Sequence, residues 1–121
     1  MSNPSRDTFD RAASLLKALS HRFRLELVCG LRHQPCTQTF IAGKLGLPQS
    51  SVAQHLKVLR SAGLVEEERR GVEVVFSLKG DPELTRVLDA LCGKGDAAIP
   101  LCRSWDEIAA MGRTSRSADP T

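Results

Sequence analysis

The sequence predicts a mainly α chain with one β-hairpin, in the order α-α-α-α-β-β-α. Three observations predict it. Apolar residues recur at helical spacing from Thr8 to Ser61. After Gly63 the period changes to a β-branched and aromatic run, Val72-Glu73-Val74-Val75-Phe76-Ser77-Leu78. A helical stripe then returns from Leu84 to Cys92.

Residues 1–7 are polar and expected to be unstructured. The first helix starts at Thr8 and carries Phe9, Ala12, Ala13, Leu16 and Leu19 at i, i+3, i+4, i+7 and i+10. A second helix runs from Arg22 to about Arg32, with Leu25, Val28 and Leu31 on one stripe. Gln34-Pro35 stops it, and Thr37 is placed to cap a short third helix with Phe40, Ile41 and Leu45 apolar. Gly46-Leu47-Pro48 makes a tight turn, and Pro48 suits a helix entry because its missing N–H is an orphan there anyway.

The fourth helix spans Gln49 to Ser61. Val52, Leu56 and Leu59 form its apolar side, with Val58 beside them; Gln49, Ser50, Ser51, Gln54, His55 and Lys57 form the other. Gly63 suits a left-handed position just past its end. Two strands follow, joined at Arg69-Arg70-Gly71. Asp81 as N-cap and Pro82 at the first helical position open the next helix, whose stripe is Leu84, Val87, Leu88 and Leu91. Gly93-Lys94-Gly95 breaks it at about Cys92. Ser104-Trp105-Asp106-Glu107 has the form of a capping box, so a short helix over 105–111 is expected within a C-terminal extension of residues 93–111. Trp105 would anchor it. The tail 112–121 is small and polar and is expected to be disordered. Two short helices across a tight turn, followed by a basic-tipped hairpin, give residues 8–92 the plan of a winged helix-turn-helix.

Composition fits that plan. The chain has 121 residues, 41% apolar and 26% charged, enough for one domain with a modest core. No uncharged apolar run approaches the roughly 20 residues of a membrane span, and the polar start lacks a secretory signal. A cytoplasmic, membrane-free protein is expected. Lys and Arg number 17 against 14 Asp and Glu, a net +3. Between Phe40 and Leu64 the basic residues Lys44, Lys57 and Arg60 stand with no acid at all, so this stretch can face a polyanion without built-in repulsion. The sequence holds no nucleotide-binding glycine loop, no Gly-x-Ser-x-Gly elbow and no HExxH, which argues against an enzyme.

The run Leu16-Lys17-Ala18-Leu19-Ser20-His21, Arg24-Leu25 and the stretch from Leu45-Gly46-Leu47-Pro48-Gln49-Ser50-Ser51-Val52 through Ala53-Gln54-His55-Leu56-Lys57-Val58-Leu59-Arg60 to Ser61-Ala62-Gly63-Leu64-Val65 resemble the ArsR/SmtB family of bacterial transcriptional regulators. The resemblance covers roughly residues 9–92. It implies a homodimer whose interface is built by the first and last core helices. It further implies a repressor that binds a double-stranded operator of dyad symmetry and leaves it when an inducer binds. The chain departs from the family pattern in places. Arg22 stands where a proline is common, and Thr37 and Thr39 stand where a metal-binding cysteine box would lie. The last core helix lacks the Asp/His set of zinc-sensing members.

The fourth helix has the composition of a groove reader. Gln pairs bidentately with adenine, and Ser, His and Lys reach base edges or phosphates. The candidate DNA contacts are Gln49, Ser50, Ser51, Gln54 and His55, then Lys57 and Arg60, with Lys44 near the backbone. Arg69 and Arg70 at the hairpin tip suit the minor groove or its phosphates. The adjoining Glu66-Glu67-Glu68 run would pair with neighbouring arginines or protect the strand edge. A winged-helix module that binds proteins rather than DNA is the contrasting class.

The four cysteines are Cys29, Cys36, Cys92 and Cys102, with no Cys-x-x-Cys spacing. Structural disulfides are not expected in a reducing compartment. Cys29 on the second helix and Cys92 at the end of the last core helix are similar to the pair that the thiol-based branch of the family cross-links on sensing persulfides or oxidants. Cys92 and Cys102, with Cys36, form a second candidate set, for a soft metal or arsenite ion. A buried Cys29 packing as a small hydrophobe is the third reading.

Overall fold

A computed structural model describes residues 4–92 and 104–118, with side chains over 7–91 and 104–111. Its elements are α1 (Pro4–Leu19), α2 (Arg22–His33), β1 (Cys36–Thr37), α3 (Gln38–Leu45), α4 (Gln49–Ser61), β2 (Val65–Arg70), β3 (Glu73–Leu78), α5 (Pro82–Cys92) and α6 (Trp105–Ala118). This is the winged helix-turn-helix order. Among the described residues no helix is long and apolar enough to cross a membrane.

The caps form where the sequence places them. Thr37 Oγ1 accepts from the Phe40 amide at 3.2 Å. Asp81 Oδ1 accepts from the Glu83 amide at 2.9 Å. Ser104 and Glu107 close a reciprocal box, with bonds of 3.3 Å and 2.9 Å. Gly46 between α3 and α4, Gly63 after α4 and Gly71 in the hairpin all have φ near +70°, at 67°, 78° and 64°. A side chain there would be strained, so glycine fixes these corners.

Three expectations are corrected. The sheet has three strands in the order β1-β3-β2, because Cys36 and Thr37 pair antiparallel with Phe76 and Val75. A two-residue strand carries no periodicity and leaves no trace in the sequence. The stripe that α1 buries is Leu15, Ala18 and Leu19, while Phe9 and Leu16 are 74% and 57% exposed. Finally, α1 begins at Pro4 and α6 runs to Ala118, so both helices reach into the stretches read as unstructured, 1–7 and 112–121. Pro4 is favourable at a first helical position, and Gly112 costs a helix interior only about 1 kcal/mol.

The core is continuous. Leu27, Val28 and Leu31 of α2 meet Ile41 and Leu45 of α3, Val52, Leu56 and Leu59 of α4, and Phe76 of β3. Leu84 and Leu88 of α5 and Trp105 and Ile108 of α6 extend it. The core therefore grips one side of α4 and leaves its opposite side to solvent.

Candidate nucleic-acid interface

At about 100° per residue, burial of Val52, Leu56 and Leu59 turns Ser50, Gln54, Lys57 and Ser61 directly outward. All four are exposed, as are Gln49 and Ala53 at one margin. The structure thus brings Gln49, Ser50, Gln54 and Lys57 together on one acid-free helical surface. Gln49 is also tied to α3. Its Nε2 donates to Thr39 Oγ1 at 3.1 Å, and Gln38 Nε2 donates to its side-chain and main-chain oxygens at 3.0 and 3.1 Å. These bonds hold the helix-turn-helix corner that Gly46 creates.

The other sequence-predicted residues occupy different surroundings. Ser51 and His55 lie on the flank of α4, half-buried, and not on its outward face. His55 packs against His21, with ring centroids 4.6 Å apart and the planes tilted by 51°, and its Nδ1 lies 3.5 Å from Arg24 Nη1. Burial first, then the neighbouring His21 and Arg24, hold the His55 imidazolium below its ordinary range. Lys44 points to α6, where its Nζ donates to Asp106 Oδ1 at 2.6 Å and sits 5.3 Å from the Phe40 ring centroid. That bond to the ammonium holds the Asp106 carboxyl below the usual carboxylate range.

Arg60 is bound to Glu67 of β2, and Arg70 to Glu68 at 3.0 Å. Glu67 and Glu68 of the acidic run therefore pair with neighbouring arginines, one of them on α4. Between α4 and the hairpin lies an open groove of about 890 Å³ lined by Thr39, Phe40, Lys57, Arg60, Glu67 and Val72. Arg69 is exposed on β2, next to a turn whose Val72 stands 95% out of the protein.

Cys29 is 2% exposed in the middle of α2. Cys36 is buried in β1, and burial pushes its thiol up to about 12. A thiol held protonated to that degree is a poor ligand for a soft ion. Among the described residues no group of three His, Cys, Asp or Glu is arranged to hold a metal. Cys92 closes α5, with its side chain outside the described residues, and Cys102 and the whole 93–103 link lie outside them too. α5 packs on the end of α2. Arg32 pairs with Asp89, and Leu31, Leu84 and Leu88 share one apolar cluster.

Sequence reasoning missed His21 and Arg24, which stand beside α4 although they belong to the start of α2. No local pattern signals such a meeting, since residues 21 and 55 come together only through the packing of α2 on α4.

The family model described as "Bacterial regulatory protein, arsR family" matches residues 23–67. The HTH-type transcriptional repressor SmtB of Mycobacterium tuberculosis is 40% identical over 97 residues, which cover 79% of this chain and 71% of that protein. Among solved structures, reduced HlyU from Vibrio cholerae superposes with a TM-score of 0.67 at 28% identity, over 74% of this chain and 93% of that one. The transcriptional repressor BigR from Xylella fastidiosa does so with 0.64 at 30% identity, over 74% and 87%.

Proposed function

The chain belongs to the ArsR/SmtB family of winged helix-turn-helix transcriptional regulators, and from that premise we propose that it is a cytoplasmic, homodimeric repressor released from its operator by cysteine chemistry. It is a DNA-binding regulator and not an enzyme. The observation that carries the DNA reading is the outward face of α4. Ser50, Gln54 and Lys57 stand there, with Gln49 at its margin, without an acidic neighbour on the helix. Gln and Ser read base edges in the major groove, and Lys57 serves the backbone. Arg69 and Arg70 reach the flanking groove from the hairpin. Arg70 must exchange Glu68 for a phosphate, and Arg60 likewise Glu67.

Dimerisation follows from α1. Phe9, Ala13 and Leu16 fall at i, i+4 and i+7 and are all exposed. An apolar stripe of this kind is suited to a second copy, and a two-fold dimer sets two recognition helices one DNA turn apart.

The trigger is assigned to Cys29 and Cys92. Cys29 precedes Arg32 by three residues on α2, and Cys92 follows Asp89 by three on α5, so each is within one turn of the ion pair joining the two helices. One thiol takes a sulfane sulfur from a persulfide and frees the carrier thiol. The second thiol then closes a disulfide with loss of hydrogen sulfide. The link would shift α5 against α2 and change the spacing of the reading heads.

The DNA reading is tested by Gln54→Ala and Ser50→Ala on a duplex from upstream of the chain's own gene, against an unrelated duplex of equal length. A true base contact costs about 1–3 kcal/mol on the first duplex only. Equal affinity of wild type and variants for both duplexes would refute it.

A further inference from the structure

Three side chains from two elements converge on the flank of α4: His21 at the α1–α2 corner, Arg24 of α2 and His55 of α4. The His21 and His55 rings are 4.6 Å apart, and the Phe23 and His55 rings 6.2 Å. His21 is exposed, and Arg24 and His55 are half-buried. Among the described residues no carboxylate pairs with any of the three. The nearby Glu26 is held by Arg22 at 2.7 Å, and Arg22 itself lies 5.5 Å from the Phe23 ring centroid.

The hydrogen bonds fix what this cluster offers. His21 Nδ1 accepts from the Phe23 amide at 3.2 Å, capping α2, so the ring proton sits on Nε2. His55 Nδ1 faces the guanidinium of Arg24, which can only donate, so its proton also sits on Nε2. Arg24 Nε is spent on the Ala18 carbonyl at 2.6 Å, leaving its terminal nitrogens. The acceptor atoms are thus turned inward. What remains is two imidazole N–H groups and a guanidinium, all donors, one of them a fixed cation. The guanidinium of Arg24 thus has no carboxylate partner among the described residues, and burial, with His21 and Arg24 beside it, favours the neutral, N–H-donating form of His55.

We propose that His21, Arg24 and His55 form a clamp for one backbone phosphate of the bound DNA, next to the bases read by α4. Gln54 is the chain neighbour of His55 and faces outward, so a strand crossing the groove edge at Gln54 passes the clamp. A phosphate oxygen accepts what the three residues donate, and Arg24 supplies the charge. The clamp fixes the register of α4 and carries no sequence information itself. It narrows His55, read from the sequence as a base or phosphate contact, to a positioning residue on the backbone. The proposal rests on the DNA reading above.

The test is a thermodynamic cycle between protein and DNA, using the full chain. Single methylphosphonates, which remove the charge of one phosphate, are placed in turn along the upstream duplex. Affinities are measured for wild type, Arg24→Gln, Arg24→Lys, His21→Asn and His55→Ala. Asn is a good N-cap, so His21→Asn keeps α2 closed while removing the imidazole. The expected result is one position per half-site where the methylphosphonate weakens wild type about tenfold and adds nothing to Arg24→Gln or His21→Asn. Arg24→Gln should also lower the slope of log affinity against log salt by about one, with Arg24→Lys restoring it.

Losses that add fully at every phosphate would overturn the clamp while leaving the DNA reading intact. No binding of wild type to any duplex would overturn both. In parallel, inorganic phosphate is titrated against the ring ¹H–¹⁵N signals of His21 and His55. Saturation by free phosphate together with full additivity on DNA would reassign the cluster to a small anion and overturn the proposal.

Discussion

Trp105 of α6 packs against Gly30 in the middle of α2, so closely that a Cβ at Gly30 would stand 2.5 Å from the indole. The ring is 3% exposed, donates from Nε1 to the Gln34 carbonyl at 3.1 Å and meets the Phe40 ring edge-on at 6.0 Å. Gly30 thus serves the packing at the expense of helix propensity. Gly30→Ala gains about 1 kcal/mol of propensity but overpacks the notch at a cost of about 1–3 kcal/mol. We expect a net loss of stability by urea titration and a red shift of emission from the chain's one tryptophan.

Leu16→Glu places a charge in the exposed stripe of α1. Leu16 contributes little to the folded protomer, so its thermal midpoint should move little. Sedimentation equilibrium at micromolar concentration should show wild type as a dimer and the variant as a monomer. A dimeric variant would move the interface away from α1.

The recognition helix was legible to its ends. Gln49–Ser61 follows from the Pro48 entry, the Val52/Leu56/Leu59 stripe and Gly63. The caps at Thr37 and Asp81 and the Ser104/Glu107 box are local chemistry, and local chemistry reads directly from the chain. What eluded reading is tertiary. The period of α1 fits two stripes, and only packing decides that Leu15 and Ala18 go inward while Phe9 and Leu16 stay out. Lys44 and Arg60 look like spare cations until α6 and β2 bring Asp106 and Glu67 to them. His55 shares the polar composition of its neighbours, and only the α2 corner distinguishes it.

Acid should loosen the α2–α4 corner. The His55 imidazolium is disfavoured in the folded chain by burial, His21 and Arg24. The unfolded chain, with an ordinary imidazole pKa of about 6.5, therefore binds that proton more readily. The resulting stability is fully present above that value and is lost as pH falls below it. Urea midpoints for wild type should drop from pH 7.5 to pH 5.5 by more than those for His55→Gln. Equal drops would remove His55 from the account.

Asp106→Asn should release Lys44 from α6. The Asp106 carboxylate is 87% exposed, so the melting temperature should hardly change. Duplex affinity should rise, by less than about tenfold, with a steeper salt dependence from one more available cation. An unchanged salt slope would show that Lys44 stays away from the backbone even when released.

Release from the operator is proposed to run through Cys29 and Cys92. The most direct measurement is the affinity of the fully reduced chain for the duplex upstream of its own gene, by fluorescence anisotropy at fixed salt. It is repeated after persulfide treatment, for wild type, Cys29→Ser and Cys92→Ser. All three should bind tightly when reduced, and wild type alone should lose binding on treatment. Wild type that stays bound after treatment, or serine variants that are released as wild type is, would contradict it.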